Sequence, residues 1–197
     1  MSGPVDPVAH LRELSATALR AADTLGDQIR AATQMVRETV QRDGTIFFCG
    51  NGGSAADAQH LAAELSGRFY TDRPPLYAEA LHVNSSYVTA VANDYGYELV
   101  FARMVEAAGR PGDVLVALST SGNSPNILKA VEQARKQGMT VIGFTGASGG
   151  LLRAHSDVLL NVPSVDTPRI QEAHILIGHI LCEIVEREVL KEMASSQ

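Results

Sequence analysis

Tryptophan is missing from this 197-residue chain, aromatic residues make up only 5% of it, and cysteine occurs twice. Cys49 and Cys182 both sit inside apolar runs, IFFCG and ILCEIV. They read as buried free thiols suited to a reducing cytoplasm rather than as a disulfide. There is no cluster of Lys and Arg, and 22 acidic residues against 16 basic ones leave a formal net charge of -6. Broad binding to the phosphate backbone of nucleic acid is therefore not expected. A phosphorylated metabolite still fits, because backbone N–H groups at a helix N-terminus hold an anion without net positive charge. Long apolar runs are lacking too. The most apolar stretch, 175–185, carries His179, Cys182 and Glu183 and is too short to span a bilayer. No N-terminal segment combines a basic region, an apolar core and a small-residue cleavage site, so the expected setting is the cytoplasm, with no membrane partner.

What is present describes an ordinary globular protein: 45% hydrophobic residues, 19% charged, and a mean hydropathy of +0.02. The length suits one domain spanning 1–197, with a helical segment over 1–42 and a core over 43–197. Leu11, Leu14, Ala18, Ala21, Leu25, Ile29, Met35, Val36 and Val40 recur near helical spacing. They predict one long helix over 7–41, or two stacked helices broken at Gly26. Short apolar strands are expected at 45–49, 76–82, 113–118, 140–145 and 157–161. Helices are expected at 54–68, 85–92, 98–107, 125–137 and 168–192. Strands that are apolar along their length and alternate with helices indicate a doubly wound α/β layer, a parallel sheet covered on both faces. In such sheets ligands bind beyond the carboxyl ends of the strands, where strand order reverses. The final helix is hydrophobic on nearly all sides over 170–190, which predicts a homo-oligomer with a helical core.

Two turns stand on that binding edge. STSGNS, Ser119 to Ser124, offers three serines, a threonine and a glycine after a strand and before a helix. Hydroxyls and free amides converging there suit a phosphate. The plainer reading, Ser124 as helix N-cap with Pro125 at N1, is compatible with it. GNGGS, Gly50 to Ser54, is a tight strand-to-helix turn or a cradle for a polar substrate, and Asn51 adds an amide that both donates and accepts. It is not a dinucleotide fingerprint, since GNGGSA lacks the third glycine and no acidic residue closes a matching second strand.

GNGGSAADAQH together with STSGNS resembles the sugar isomerase (SIS) domain family. AxxxE after the histidine, VANDYGYE and RIQEAH resemble the phosphoheptose isomerases within it. The likeness runs from about Gly44 to the C-terminus, with the motifs in family order. It implies a flavodoxin-like, three-layer αβα fold with a mostly parallel five-stranded sheet. It further implies interconversion of D-sedoheptulose 7-phosphate and D-glycero-D-manno-heptose 7-phosphate, the entry to ADP-heptose synthesis, by a zinc-containing homotetramer with active sites at subunit interfaces. By the same resemblance Ser119, Thr120, Ser121 and Ser124 hold the phosphate. Asn51, Gly52, Gly53, Asn93 and Asp94 line the sugar, and Gln171 and His179 join His60 and Glu64 as metal ligands, Gln171 and Glu64 also touching substrate.

Moving a carbonyl between C2 and C1 requires a proton to leave one carbon and return to its neighbour through an enediol, which takes a base, an acid and a stabiliser of the oxyanion. His60 and Glu64, at i and i+4, project from one helix face about 6 Å apart along the axis. That spacing suits one shared metal, or a base beside its partner. Glu64 is the candidate base and His179 the candidate acid. Two histidines, a carboxylate and an amide oxygen form a plausible zinc set. A metal-bound carboxylate is a poorer base, so either Glu64 releases the ion during turnover or the ion only organises sugar oxygens. Gln171 and His179 are about 12 Å apart along a helix. Both reach one ion if their side chains lean together, if the helix deforms, or if different subunits supply them. His174 reads as a core histidine, His10, His82 and His155 as structural or surface, and Arg68 as outside the site. Pro168 stands where some family members carry an aspartate, and no role is transferred to Asp166. A non-catalytic SIS scaffold that binds the replication initiator needs neither Glu64 nor His179. A sugar-phosphate sensor needs the phosphate loop but not the acid–base pair, and no helix-turn-helix precedes the sheet.

Overall fold

In the computed structural model, which describes residues 5–195, five short strands form one parallel sheet in the order β2-β1-β3-β4-β5. These are β1 (Ile46–Cys49), β2 (Ala78–Ala80), β3 (Val114–Leu118), β4 (Thr140–Thr145) and β5 (Val158–Asn161). Side chains alternate across a strand, and here both faces are apolar. Ile46, Phe48, Val114, Val116, Ile142 and Phe144 point into one core, while Phe47, Cys49, Leu115, Ala117 and Val141 point into the other. Each core is closed by its own helix layer. The first is covered by α1 (Pro7–Gln41), α2 (Gly53–Ser66) and α6 (Thr167–Ser195). The second is covered by α3 (Ser85–Tyr95), α4 (Val100–Ala108) and α5 (Pro125–Lys136). The result is the expected αβα sandwich of flavodoxin-like strand order.

Local chemistry explains most element ends. Asp6 caps α1, its carboxylate accepting from the Val8 N–H at 3.0 Å, and Pro7 occupies the first helical position, where a missing N–H costs nothing. The break considered at Gly26 does not occur, and α1 runs through it for 35 residues. Gly26 lies on the helix exterior, where an added Cβ would meet only the Arg30 guanidinium. A glycine inside a helix costs about 1 kcal/mol, which burial of Leu25, Ala32 and Val36 in the first core outweighs. β2 is shorter than the expected 76–82 because it is the sheet edge and pairs only with Ile46 to Phe48 of β1. α3 runs three residues past the expected 92, so Asn93 and Asp94 lie in its last turn. The helix expected at 98–107 begins as a 3-10 turn over Tyr97–Leu99 and becomes α-helical at Val100.

Strand order reverses between β1 and β3, which are neighbours although β2 separates them in sequence. The turns after these two strands are GNGGS and the STSGNS loop, so the topology sets them side by side at the carboxyl edge. Among the described residues no helix is long and apolar enough to cross a membrane.

Candidate active site

The GNGGS turn brings α2 close to α6. Gly52 sits at φ +55°, a region that favours glycine. Gly53 serves a different need: a Cβ there would fall 2.7 Å from Gln171 Oε1 on α6. Near the other end of the contact, a Cβ at Gly178 would collide with both Leu61 methyls at 2.6 Å. Two hydrogen side chains, one on each helix, therefore let α2 and α6 approach closely at both ends of the contact. Gln171 meets the GNGGS turn, and His179 meets the middle of α2.

The outcome is one cluster. His179 Nε2 lies 3.0 Å from His60 Nε2, and His60 Nε2 lies 3.1 Å from Glu64 Oε1. One ligand atom from each of the three residues falls within 4.8 Å of the others. A single imidazole N–H cannot serve both close contacts of His60, since a proton given to Glu64 leaves two ring nitrogens facing each other. Three electron-pair donors converging in this way suit a small cation bound through nitrogen and carboxylate oxygen. The Phe69 ring closes one side, 5.7 Å from the His179 ring. Asp57, one turn before His60, has a buried Oδ2 without a hydrogen-bond partner. Burial pushes its carboxyl up to about 6 against the opposing pull of the His60 charge. His174 lies outside the cluster, fully buried, with Nε2 3.1 Å from the Thr145 carbonyl and its ring edge-on to Phe144.

The second turn is built from hydroxyls. Ser124 occupies the N-cap of α5, but its hydroxyl makes no capping bond and lies 2.9 Å from the Ser119 hydroxyl instead. The plain capping reading of Ser124 thus accounts for its backbone and not for its side chain. Thr120 and Ser121 open onto a pocket of about 270 Å³ that continues over Gly146 and Ser148 to Ser164 and Thr167. The two turns are joined by a reciprocal amide pair. Asn51 Nδ2 donates to Asn126 Oδ1 at 2.9 Å, Asn126 Nδ2 donates to Asn51 Oδ1 at 2.8 Å, and the Tyr97 hydroxyl adds a third bond at 3.2 Å. The Asn51 amide is thus engaged by protein on both its atoms. Asn93 and Asp94 are exposed and bonded to each other at 2.8 Å, with no hydrogen bond to either turn among the described residues.

The SIS domain family matches residues 9–146. A phosphoheptose isomerase of Rhodospirillum rubrum is 56% identical over 165 residues, covering 82% of this chain and 88% of that protein. The chain belongs to the phosphoheptose isomerase family. Solved structures agree. Phosphoheptose isomerase GmhA from Neisseria gonorrhoeae superposes with a TM-score of 0.87 at 45% identity, covering 91% of this chain and 96% of that one. A phosphoheptose isomerase from Francisella tularensis gives 0.88 at 38% identity, with coverage of 91% and 95%.

Within this phosphoheptose isomerase fold, several residues around the site escaped the sequence reading. Asn126 hides within an amphipathic helix start and is only 3% exposed. Asp57 carried a usable signal, three residues before His60 on the same helix. Ser164 and Thr167 come from the segment leading into α6 and carried none. His10 is structural: Arg169 Nη1 lies 3.3 Å from its Nδ1 and donates to its carbonyl at 3.1 Å, tying the first turn of α1 to the start of α6.

Proposed function

We propose that this chain interconverts D-sedoheptulose 7-phosphate and D-glycero-D-manno-heptose 7-phosphate, an aldose–ketose isomerisation that opens the route to ADP-heptose. One observation carries the reading: the Glu64 carboxylate and the His179 imidazole meet at His60 in one cluster. The same two helices, α2 and α6, also meet at the GNGGS turn, where Gln171 packs against Gly53.

Ser119, Thr120, Ser121 and Ser124, with the N-terminal amides of α5, hold the phosphate. Their positive helix end offsets its charge without a lysine or arginine. Gly52, Gly53, Asn51, Asn93, Asp94 and Gln171 line the sugar, the Asn126 bonds keeping Asn51 rigid. Glu64, whose Oε2 has no hydrogen-bond partner among the described residues, takes the proton from the carbon beside the carbonyl, and an enediol forms. His179 delivers and removes the proton at oxygen, and return of the proton to the neighbouring carbon completes the exchange. His60, Glu64 and His179 hold one zinc ion per subunit, and Gln171, which packs against Gly53 about 12 Å along α6 from His179, joins as a weaker oxygen donor from a neighbouring copy. When bound, the ion supplies Lewis-acid stabilisation of negative charge on the sugar oxygens. The chain works as one SIS unit in a cytoplasmic homotetramer, the exposed apolar side chains of α1 and α6, such as Leu11, Leu19 and Leu176, being covered by partner copies.

The test is direct. Purified protein supplied with sedoheptulose 7-phosphate is expected to form the aldose, and Glu64→Gln is expected to abolish turnover while sugar phosphate still binds by calorimetry. No conversion by the wild type across a panel of ketose phosphates sinks the reaction assignment, and full activity in Glu64→Gln sinks the base.

A further inference from the structure

A buried ion pair joins α6 to the main chain of Glu64 on α2. The side chains of Arg73 and Glu186 are 0% and 2% exposed and meet at 3.2 Å through Arg73 Nε. Arg73 follows α2 by one loop, and its guanidinium turns back onto that helix. Nη2 donates to the Glu64 carbonyl at 3.0 Å and Nη1 to the Leu65 carbonyl at 2.9 Å. Carbonyls of a last helical turn have no partner within their own helix; the Gly67 N–H reaches Ala63 and the Leu76 N–H reaches Leu65, and Arg73 adds the side-chain bond that the Glu64 carbonyl receives. Glu186 stands on α6 two turns beyond His179, a spacing that keeps both on a similar face. Its carboxylate accepts the backbone N–H groups of Phe69, Tyr70 and Thr71 at 3.0, 2.9 and 3.1 Å. The first of those residues is the one whose ring lies against His179. A continuous set of directional bonds therefore runs from α6 through the 69–73 loop to the main chain of Glu64 itself.

Stability alone does not call for such a pair. Two charges in a core gain little over apolar groups of the same volume, because desolvation offsets their attraction. Apolar packing, however, lets helices slide, whereas a fork of hydrogen bonds fixes one axial position. A slip of α2 by one residue, about 1.5 Å, would carry the 3.0 Å contact between His60 and His179 out of bonding range and move Glu64 with it, since His60 and Glu64 travel together on α2. The geometry points to Arg73 and Glu186 as positioning residues that set the height of Glu64 along α6 and so assemble the catalytic cluster. Neither touches substrate. The inference rests on the reading of Glu64 and His179 as base and acid.

The test compares wild type with Arg73→Lys, Glu186→Gln and the double variant Arg73→Met/Glu186→Leu, which removes both charges and strands neither. Far-UV circular dichroism and thermal unfolding establish which are folded. Two readouts follow: kcat and KM with sedoheptulose 7-phosphate, and the imidazole resonances of His60 and His179 after histidine-selective isotope labelling. In folded variants kcat is expected to fall by about 100-fold, the scale of an ångström-sized misplacement. KM is expected to stay within about two-fold, since the phosphate contacts are not involved. Arg73→Lys is expected to lie between wild type and the double variant, and both histidine resonances should shift. A folded double variant with wild-type kcat and unshifted resonances overturns the proposal. So does a loss of activity that merely follows the unfolded fraction. If the wild type itself turns over no heptose phosphate, the isomerase reading fails separately, and the histidine resonances then decide the positioning role alone.

Discussion

Acidification tests the burial of His174 quantitatively. This residue and His179 lie on the same helix, yet only His179 joins the cluster, because His174 faces Phe144 and the Thr145 carbonyl. A carbonyl only accepts, so Nε2 carries the hydrogen and Nδ1 is left buried without a partner. Burial lowers the imidazole from 6.5 to about 4, the Thr145 bond opposing part of the shift. Between these values the folded protein keeps His174 neutral while the unfolded chain protonates it. Its contribution to stability is thus complete above about pH 6.5 and is lost as pH falls toward about 4. At about 1.4 kcal/mol per unit, the loss over the window is about 3 kcal/mol. The perturbation is His174→Leu, which removes the titrating ring while the Thr145 carbonyl keeps its bond from the Val162 N–H at 2.9 Å. The assay is urea unfolding of both proteins at several pH values from about 7 to 4. Other groups cancel in the comparison. Asp57, raised by burial to about 6, contributes the opposite slope in both proteins, since its folded carboxyl keeps a proton that the unfolded chain has lost. His82, lowered by burial, adds the same slope to both. Glu186 is held below its ordinary value, with burial opposed and outweighed by the Tyr70, Phe69 and Thr71 N–H bonds and the Arg73 charge, so its loss comes at lower pH. The wild type should lose about 3 kcal/mol more than the variant. Parallel pH profiles would refute the neutral, buried assignment.

Two further outcomes follow. Asn126→Ala removes both halves of the amide pair with Asn51 and the bond to the Ile127 N–H; it is expected to cost about 1–3 kcal/mol in chemical unfolding and to lower kcat/KM by about 10-fold or more as the two turns lose register, and a variant with unchanged kinetics removes Asn126 from any positioning role. Chelation of the purified protein should reduce turnover and zinc add-back should restore it, and an indifferent activity together with no zinc by elemental analysis rejects the metal assignment.

Periodicity and turn chemistry made much of this protein legible in one dimension. The continuous apolar runs of β1, β3 and β4 require a sheet covered on both faces, and alternation with helices makes it parallel. His60 and Glu64 were readable as a pair because four residues of helix return a side chain to the same face. GNGGS and STSGNS were readable as neighbouring turns on the carboxyl edge because each follows a buried strand. What the string of residues left open depended on which helices cross. That the last helix brings His179 and not Gln171 to His60 within the chain depends on the contact of α2 with α6, with glycines 53 and 178 where larger side chains would collide. The partners of Asn126, Arg73 and Glu186 are likewise decided there. A buried polar side chain takes whatever complementary group the packing sets within about 3 Å, and in these pairs that group is 75 and 113 residues away in sequence. Local pattern fixes what each segment becomes, whereas long-range packing alone decides which polar atoms face each other, because hydrogen bonding is short-ranged and blind to sequence distance.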